Sequence, residues 1–392
     1  MPYLPDNREY VEPVRLGMVG GGNEAFIGAV HRIAARLDDR YRFVAGALSS
    51  TTERSHASAK ALGLDRDRTY DNYLEMAARE AERPDGIEAV SIVTPNHLHA
   101  AASIPFLERG IHVICDKPLT ATLEQARKLA TAARRSKALF VLTHNYSGYP
   151  LVRQARKMVR SGQLGRIRVV QVEYISDWLA TDLESTGMKQ AEWRTDPARA
   201  GAGGCVGDIG THAFHLAQFV TGLTLDELSA ERTTFIPGRR VDDHVQAQLR
   251  FAEGARGMLW ASQVTVGEEN GLRLRVFGEN GSLDWHQEEP NTLRYTEMNG
   301  TKQLITRMGN GATAPGITAS RTPAGLPEGY LEGFANLYTE AADAIVAARD
   351  GSDPILPETL PGLEDGLAGM SFIDAVLRSD EENGSWVRPI RW

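Results

Sequence analysis

The chain has 392 residues, 42% hydrophobic and 24% charged, which is ordinary globular composition, and the length predicts about two domains. A formal net charge of −8 argues against nucleic acid or an anionic membrane surface as the main partner, and no apolar run is long enough to span a bilayer. The two cysteines, Cys115 and Cys205, lie far apart, and MPYLPDNREYVEPV shows no basic stretch followed by an apolar one, so neither a disulfide framework nor a secretory leader is expected and a cytoplasmic location is.

Residues 1–13, with three prolines and several charges, read as an exposed arm. Arg15–Val19 carries a strand pattern. Gly20, Gly21 and Gly22 then make a sharp turn, and Gly28 opens the helical run AVHRIAARL. Glycines serve here because the turn needs backbone angles that a Cβ forbids and because a pyrophosphate approaches the backbone only where no side chain intervenes. The following helix start offers unpaired N–H groups to phosphate. Five residues, NEAFI, separate Gly22 from Gly28, where the standard fingerprint has two. A glycine-rich turn with no ligand is the plainer alternative; the flanking strand and helix favour the dinucleotide reading.

Beyond it, YRFVAGALSS is a strand ending near Ser49, and TTERSHASAKALGL a helix. EAVSIVTP is a strand ending at Thr94, and NHLHAAASIPFLERG a helix. IHVICDKP (strand), TLEQARKLATAARRSK (helix) and ALFVLTHN (strand) follow. This alternation predicts a doubly wound parallel sheet, whose ligands lie beyond the carboxyl ends of its strands. Those ends carry Gly20–Gly22, Ser49, Thr94, Pro95, Asn96, Asp116, Lys117 and His144–Asn145. After about Leu164 the pattern changes. RIRVVQVEYISDW is a strand, and GAGGCVGDIGTHAFHLAQFVTG a glycine-rich turn entering a helix. HVQAQLRF, ARGMLWASQV, LRLRVFG, GSLDW, TLRYTE and KQLIT are successive strands, separated by turn signals. They predict a mostly antiparallel open sheet. Residues 307–329 read as a long loop, a lid or an interface arm, before helices over Tyr330–Arg349 and near Leu363–Arg378. The expected division is 1–146, a dinucleotide-binding domain, and 147–392, an α+β domain for substrate and oligomerisation; the fold class is α/β.

Lys117, between Asp116 and Pro118 at a strand end, can donate to a substrate oxygen and stabilise an alkoxide. Asp208 and His212 stand four apart at a helix entry, on one face. A histidine suits removal of a hydroxyl proton while hydride leaves the adjacent carbon. The alternatives are a solvated lysine, a helix-capping aspartate and a core histidine, and His215 rivals His212. His97, His99, His212 and His215 lack metal-ligand spacing, so no metal is expected. Trp178 and Trp193 offer ring faces for a sugar, although tryptophan more often simply fills a core.

GMVGGG…GAVH, VTPNHLH, DKP, EWRTDP and GGCVGDIGTH, in this order and spanning nearly the whole chain, resemble the Gfo/Idh/MocA family of glucose–fructose oxidoreductase and inositol dehydrogenase relatives. The resemblance implies an N-terminal Rossmann domain binding NAD or NADP and a C-terminal open-sheet domain. The outer face of that sheet would make a homo-dimer or homo-tetramer. It implies Lys117 as the catalytic lysine, Asp208 and His212 as an Asp/His pair with His212 the general acid–base, and Thr94, Pro95 and Asn96 as a nucleotide loop. Trp193 and Arg194 would lie near nicotinamide or substrate. Gly20, Gly21, Gly22, Gly28, Ser49, Arg54, His99, Asp116, Lys117 and Asn145 complete the expected cofactor contacts. Lys117, Tyr146, Trp178, Arg194, Asp208 and His212 are the expected substrate contacts. Asp116 stands where relatives commonly have glutamate, and His215 where they often have aspartate. The second strand ends in Leu48-Ser49-Ser50 without an acid for the ribose 2′-hydroxyl, and Arg54 could pair with a 2′-phosphate. The activity expected is hydride transfer between nicotinamide and a secondary hydroxyl of a sugar, glycoside or cyclitol. The alternatives are a redox-neutral glycosidase acting through transient oxidation at sugar C3, and a non-catalytic sensor.

Overall fold

The computed structural model describes residues 11–23, 25–352 and 355–392. The arm expected over residues 1–13 therefore falls mostly outside the described residues, as does Glu24 of the inserted NEAFI. The chain folds into two compact units that interleave in sequence: residues 11–148 with 330–366 form one, and 149–329 with 367–392 the other. Two consecutive spans do not anticipate this interleaving.

The first unit is built on β1 (Val14–Gly20), α1 (Phe26–Leu37), β2 (Tyr41–Ala47), α2 (Thr52–Ala61), α3 (Tyr73–Glu82), β3 (Ala89–Val93), α4 (His99–Leu107), β4 (His112–Cys115), α5 (Leu123–Arg135) and β5 (Phe140–Leu142). Its five strands run parallel in the order β2-β1-β3-β4-β5, so the strand order reverses between β1 and β3. Ligands of such sheets sit at that switch point. β3 is buried along its whole length, as a strand covered on both faces must be. The helix Tyr330–Arg349 belongs here because Phe334, Leu337, Tyr338 and Ile345 pack with Val14, Leu16, Val30 and Val141 in one core. α3 is absent from the sequence reading, although Asn72 caps it, accepting from Glu75 N at 2.9 Å.

The second unit carries α6 (Pro150–Arg160), β6 (Ile167–Ile175), α7 (Lys189–Arg194), α8 (Pro197–Ala200), α9 (Thr211–Thr221), β7 (Leu225–Thr233), β8 (His244–Phe251), β9 (Arg256–Ser262), β10 (Gly271–Gly278), β11 (Gly281–His286), β12 (Thr292–Glu297), β13 (Lys302–Thr306) and α10 (Ala314–Thr318). Its eight-stranded sheet has the order β13-β12-β11-β10-β6-β9-β8-β7. Only β6 and β9 pair in parallel. Buried and exposed residues alternate along β8 and β9, so one face is packed and the other open. β7, an edge strand reading LDELSAERT, is half-exposed and charged, and nothing in its composition marks it as a strand. The helix Tyr330–Arg349 is α11 and Leu363–Glu381 is α12.

Among the described residues no helix is long and apolar enough to cross a membrane.

Candidate active site

In the nucleotide unit, Gly20 and Gly21 take positive φ angles, 79° and 69°, where a side chain would be strained. A Cβ on Gly28 would stand 2.3 Å from Gly21 Cα, and one on Gly22 would stand 2.7 Å from Leu48 O. The turn therefore lies flat against the start of α1, which opens at Phe26, two residues before Gly28. No side chain caps that start and no acid occupies its first turn, leaving N–H donors for an anion. Two further buried polar atoms at the strand ends, Thr94 Oγ1 and Asn145 Nδ2, have no hydrogen-bond partner among the described residues. A glycine cradle, an uncapped helix start and orphaned polar atoms on one sheet edge fit a dinucleotide.

Ser49, in the bend after β2, is half-buried, and Arg54, in α2, is exposed. Ser55 holds the end of β2 by accepting from Leu48 N at 3.0 Å. Asn96 and Tyr146 are buried; Pro95 is half-buried. His99 is fully buried, with Nδ1 2.8 Å from Pro118 O and Nε2 2.9 Å from Thr94 O. Burial pushes its pKa down, so the neutral ring donates to one carbonyl at a time. Its place is to brace the Thr94 and Pro118 loops from beneath.

Asp116 and Lys117 follow β4, and the Lys117–Pro118 peptide bond is cis. Burial alone would raise the Asp116 pKa, but His31, Lys117 and His99 bring it down to about 2. Asp116 Oδ1 accepts from Thr143 Oγ1 at 3.0 Å and lies 3.7 Å from His31 Nε2.

In the second unit, Asp208 occupies a π-helical turn, Val206–Gly210, that runs into α9. Such turns widen the backbone locally and recur at functional sites. The carboxylate that caps this entry is that of Asp242, which accepts from Gly204 N at 2.9 Å and Val206 N at 2.8 Å. The Asp208 side chain accepts from Gln263 Nε2 at 2.9 Å and lies 3.5 Å from Arg194 Nε. Arg194 sits over the Trp193 ring at 4.3 Å and faces Trp178 at 5.8 Å. These four expected residues thus form one cluster. His212 is nearly buried in the first turn of α9, its ring 6.1 Å from that of Tyr174. His215, one turn on, stacks on Phe219 at 5.8 Å.

Gln263 and Asp242 escaped the sequence reading. Gln263 comes from the loop after β9 and Asp242 from the β7–β8 loop, and no local pattern links the first to Asp208 or the second to the turn that it caps. Among the described residues no group of three or more His, Cys, Asp or Glu side chains could hold a metal ion.

Residues 14–156 match the oxidoreductase family with an NAD-binding Rossmann fold, and residues 152–284 match the GFO/IDH/MocA C-terminal domain. Among curated proteins, the uncharacterized oxidoreductase YfiI of Bacillus subtilis is 33% identical over 98% of this chain and 99% of its own. The levoglucosan dehydrogenase of Pseudarthrobacter phenanthrenivorans is 29% identical over 72% of this chain and 76% of its own. Among solved structures, an oxidoreductase from Sinorhizobium meliloti is 54% identical with a TM-score of 0.87, covering 96% of this chain and 100% of that one. An inositol dehydrogenase homolog from Azotobacter vinelandii, complexed with NADH and myo-inositol, is 34% identical with a TM-score of 0.88, covering 96% and 97%. The glycine cradle, the paired units and these matches make the chain a member of the Gfo/Idh/MocA family of NAD-binding oxidoreductases.

Proposed function

We propose that the protein is a dehydrogenase for a secondary hydroxyl of an uncharged polyol, a cyclitol or pyranose. The observation that carries the reading is the cluster of Trp178, Trp193, Arg194 and Asp208. It combines aromatic faces, which suit the apolar side of a sugar ring, with charged groups, which suit hydroxyls. Arg194 is already countered by Asp208, and Arg199 by Glu192 at 3.6 Å, so neither charge calls for an anionic substrate. The named activities of the levoglucosan and inositol relatives point the same way.

Bound nicotinamide supplies a hydride acceptor at ring carbon C4. The chain's own residues supply the rest. A ring nitrogen of His212 takes the hydroxyl proton. The Lys117 ammonium is a better donor to an oxyanion than to a neutral hydroxyl, which suits it to stabilise the charge that deprotonation creates. Asp208, held by Gln263, and Arg194 orient the neighbouring hydroxyls. Because the end of β2 lacks an acid, both NAD and NADP are expected to bind. The open face of the eight-stranded sheet is the expected homo-oligomer surface.

The test offers purified protein with NAD+ or NADP+ to myo-inositol, levoglucosan, glucose and a panel of aryl glycosides. Reduced-cofactor absorbance growing with product supports the proposal. Release of aglycone without net absorbance change refutes it in favour of the glycosidase.

A further inference from the structure

We propose that His31 and Tyr338 are positioning residues for this reaction: with Ser91 they form a buried chain that ends on Asp116 and, through it, fixes the adjacent Lys117. The proposal rests on the reading of Lys117 as the group that stabilises the oxyanion.

All the residues lie in the nucleotide unit. His31 is on α1, three residues beyond Gly28, and fully buried. Its Nδ1 is 2.8 Å from Tyr338 OH, and Tyr338 OH is 2.6 Å from Ser91 Oγ. Its Nε2 points to Asp116 Oδ1, 3.7 Å away, beyond a direct hydrogen bond but within ion-pair range. The Tyr338 ring is held independently of its hydroxyl. It meets the rings of Tyr41 and His31 edge-on at 5.3 and 5.8 Å, and its backbone carbonyl accepts from Tyr41 OH at 2.8 Å.

Burial asks for a polar partner on each ring nitrogen; here they are a hydroxyl on one side and a carboxylate within ion-pair range on the other. Here the ring is oriented from both ends. With Asp116 ionised, one assignment is consistent along the chain. Ser91 O–H donates to Tyr338, Tyr338 O–H donates to His31 Nδ1, and the His31 Nε2–H faces Asp116. Besides His31 and Tyr338, the charged or titratable groups that interact with Asp116 are Lys117, His99 and Cys115. Without the imidazole, the carboxylate keeps the Thr143 hydroxyl as a donor and Lys117 as the permanent cation that acts on it. It would then turn to pair with the ammonium that the reaction needs on the substrate oxygen. The chain thus draws Asp116 away from Lys117, and α11, from the far end of the sequence, takes part in setting the lysine.

The experiment uses full-length His31→Leu, His31→Gln, Tyr338→Phe, Asp116→Asn and the double variant His31→Leu/Asp116→Asn. Turnover is read with myo-inositol and NAD+. Lys117 reactivity is read separately, as the rate of acetylation by acetic anhydride followed by peptide mass. His31→Leu and Tyr338→Phe should lower kcat, by up to about 10²-fold for a misplaced group, with NAD+ affinity unchanged. His31→Gln, which restores a donor and an acceptor, should recover part of the loss. The double variant should be no worse than Asp116→Asn, because both changes act through one carboxylate. Lys117 should acetylate more slowly in His31→Leu and Tyr338→Phe. Tyr338→Phe, which keeps the ring packing, decides the matter if His31→Leu does not fold. Wild-type kcat and wild-type Lys117 reactivity in a folded variant overturn the proposal, as do losses that multiply in the double variant. Wild-type turnover by Lys117→Ala would instead overturn the proposed function, and the acetylation rates would still decide whether the chain acts on Lys117.

Discussion

Lys117 and His212 stand on different compact units. Lys117→Ala and His212→Ala should leave each fold nearly unchanged, and His212→Ala the NAD+ affinity as well. Turnover should fall by about 10²–10⁴-fold, the usual loss for a positioned acid–base. Steady-state kinetics beside cofactor titration checks this; a wild-type rate in His212→Ala together with a loss in His215→Ala would transfer the role to His215. Asp116 carries a second prediction. Its pKa is held at about 2 in the fold, below the ordinary value near 4 of an unfolded chain. The stability it contributes, about 2 kcal/mol, is present above roughly pH 4 and lost as pH falls through about 2. Thermal unfolding should show the gap between wild type and Asp116→Asn widest near neutrality and narrowing in acid; a gap independent of pH would contradict the assignment.

At the scale of elements, two stretches, residues 179–184 and the segment 307–329 expected as a lid or an interface arm, are tied down by buried arginines. Arg239 donates to Glu184 at 2.7 and 2.9 Å and to the carbonyls of Leu179 and Thr181, and pairs with Asp243. Arg307 donates to Glu328 at 3.0 Å and to the carbonyls of Thr322, Pro323 and Leu326. Glu328 in turn accepts from Arg321 N and Thr322 N, both at 2.6 Å. A short helix, α10, lies inside the second segment. Gln154 of α6 holds its approach, donating to Gly311 O and accepting from Thr313 N. Removing one member of a buried pair leaves the other charge uncompensated, at about 3–5 kcal/mol. Arg307→Ala should accordingly lower the melting temperature and open residues 308–327 to limited proteolysis, while Glu184→Gln leaves that stretch protected. Equal protection of 308–327 in Arg307→Ala would show that the clamp does not hold the segment.

For the whole molecule, the open sheet face is the feature that calls for a partner. Val169, Met258, Phe277 and Leu304 are exposed, and cross-strand register places Val169 opposite Phe277 on one face. Exposed large apolar residues gathered on one sheet face suit a surface that another chain can cover. Between these residues, Arg273 and Asp284 pair at 2.8 Å, giving the face charges of both signs, as a self-complementary surface requires. Light scattering should find a dimer or tetramer in wild type, and Met258→Glu with Phe277→Glu should shift it toward monomer. A monomeric wild type would refute the surface.

The sequence by itself determined most of the local structure. Alternating apolar strands and amphipathic helices announced the parallel sheet, and separate strands with turn residues announced the antiparallel one, because side-chain periodicity is set by backbone geometry alone. The glycine turn was legible because a tight turn against a helix tolerates no Cβ. Lys117, Asp208 and His212 were singled out because short motifs carried them. What tertiary structure alone decided has one physical cause: contacts between residues far apart in the chain leave no period. Gln263 reaches Asp208 across 55 positions and Tyr338 reaches His31 across 307. The charged edge strand β7 is a strand only because β8 pairs with it. The helix Tyr330–Arg349 belongs to the nucleotide unit because its apolar face is needed in that core, and only the folded chain shows which core that is.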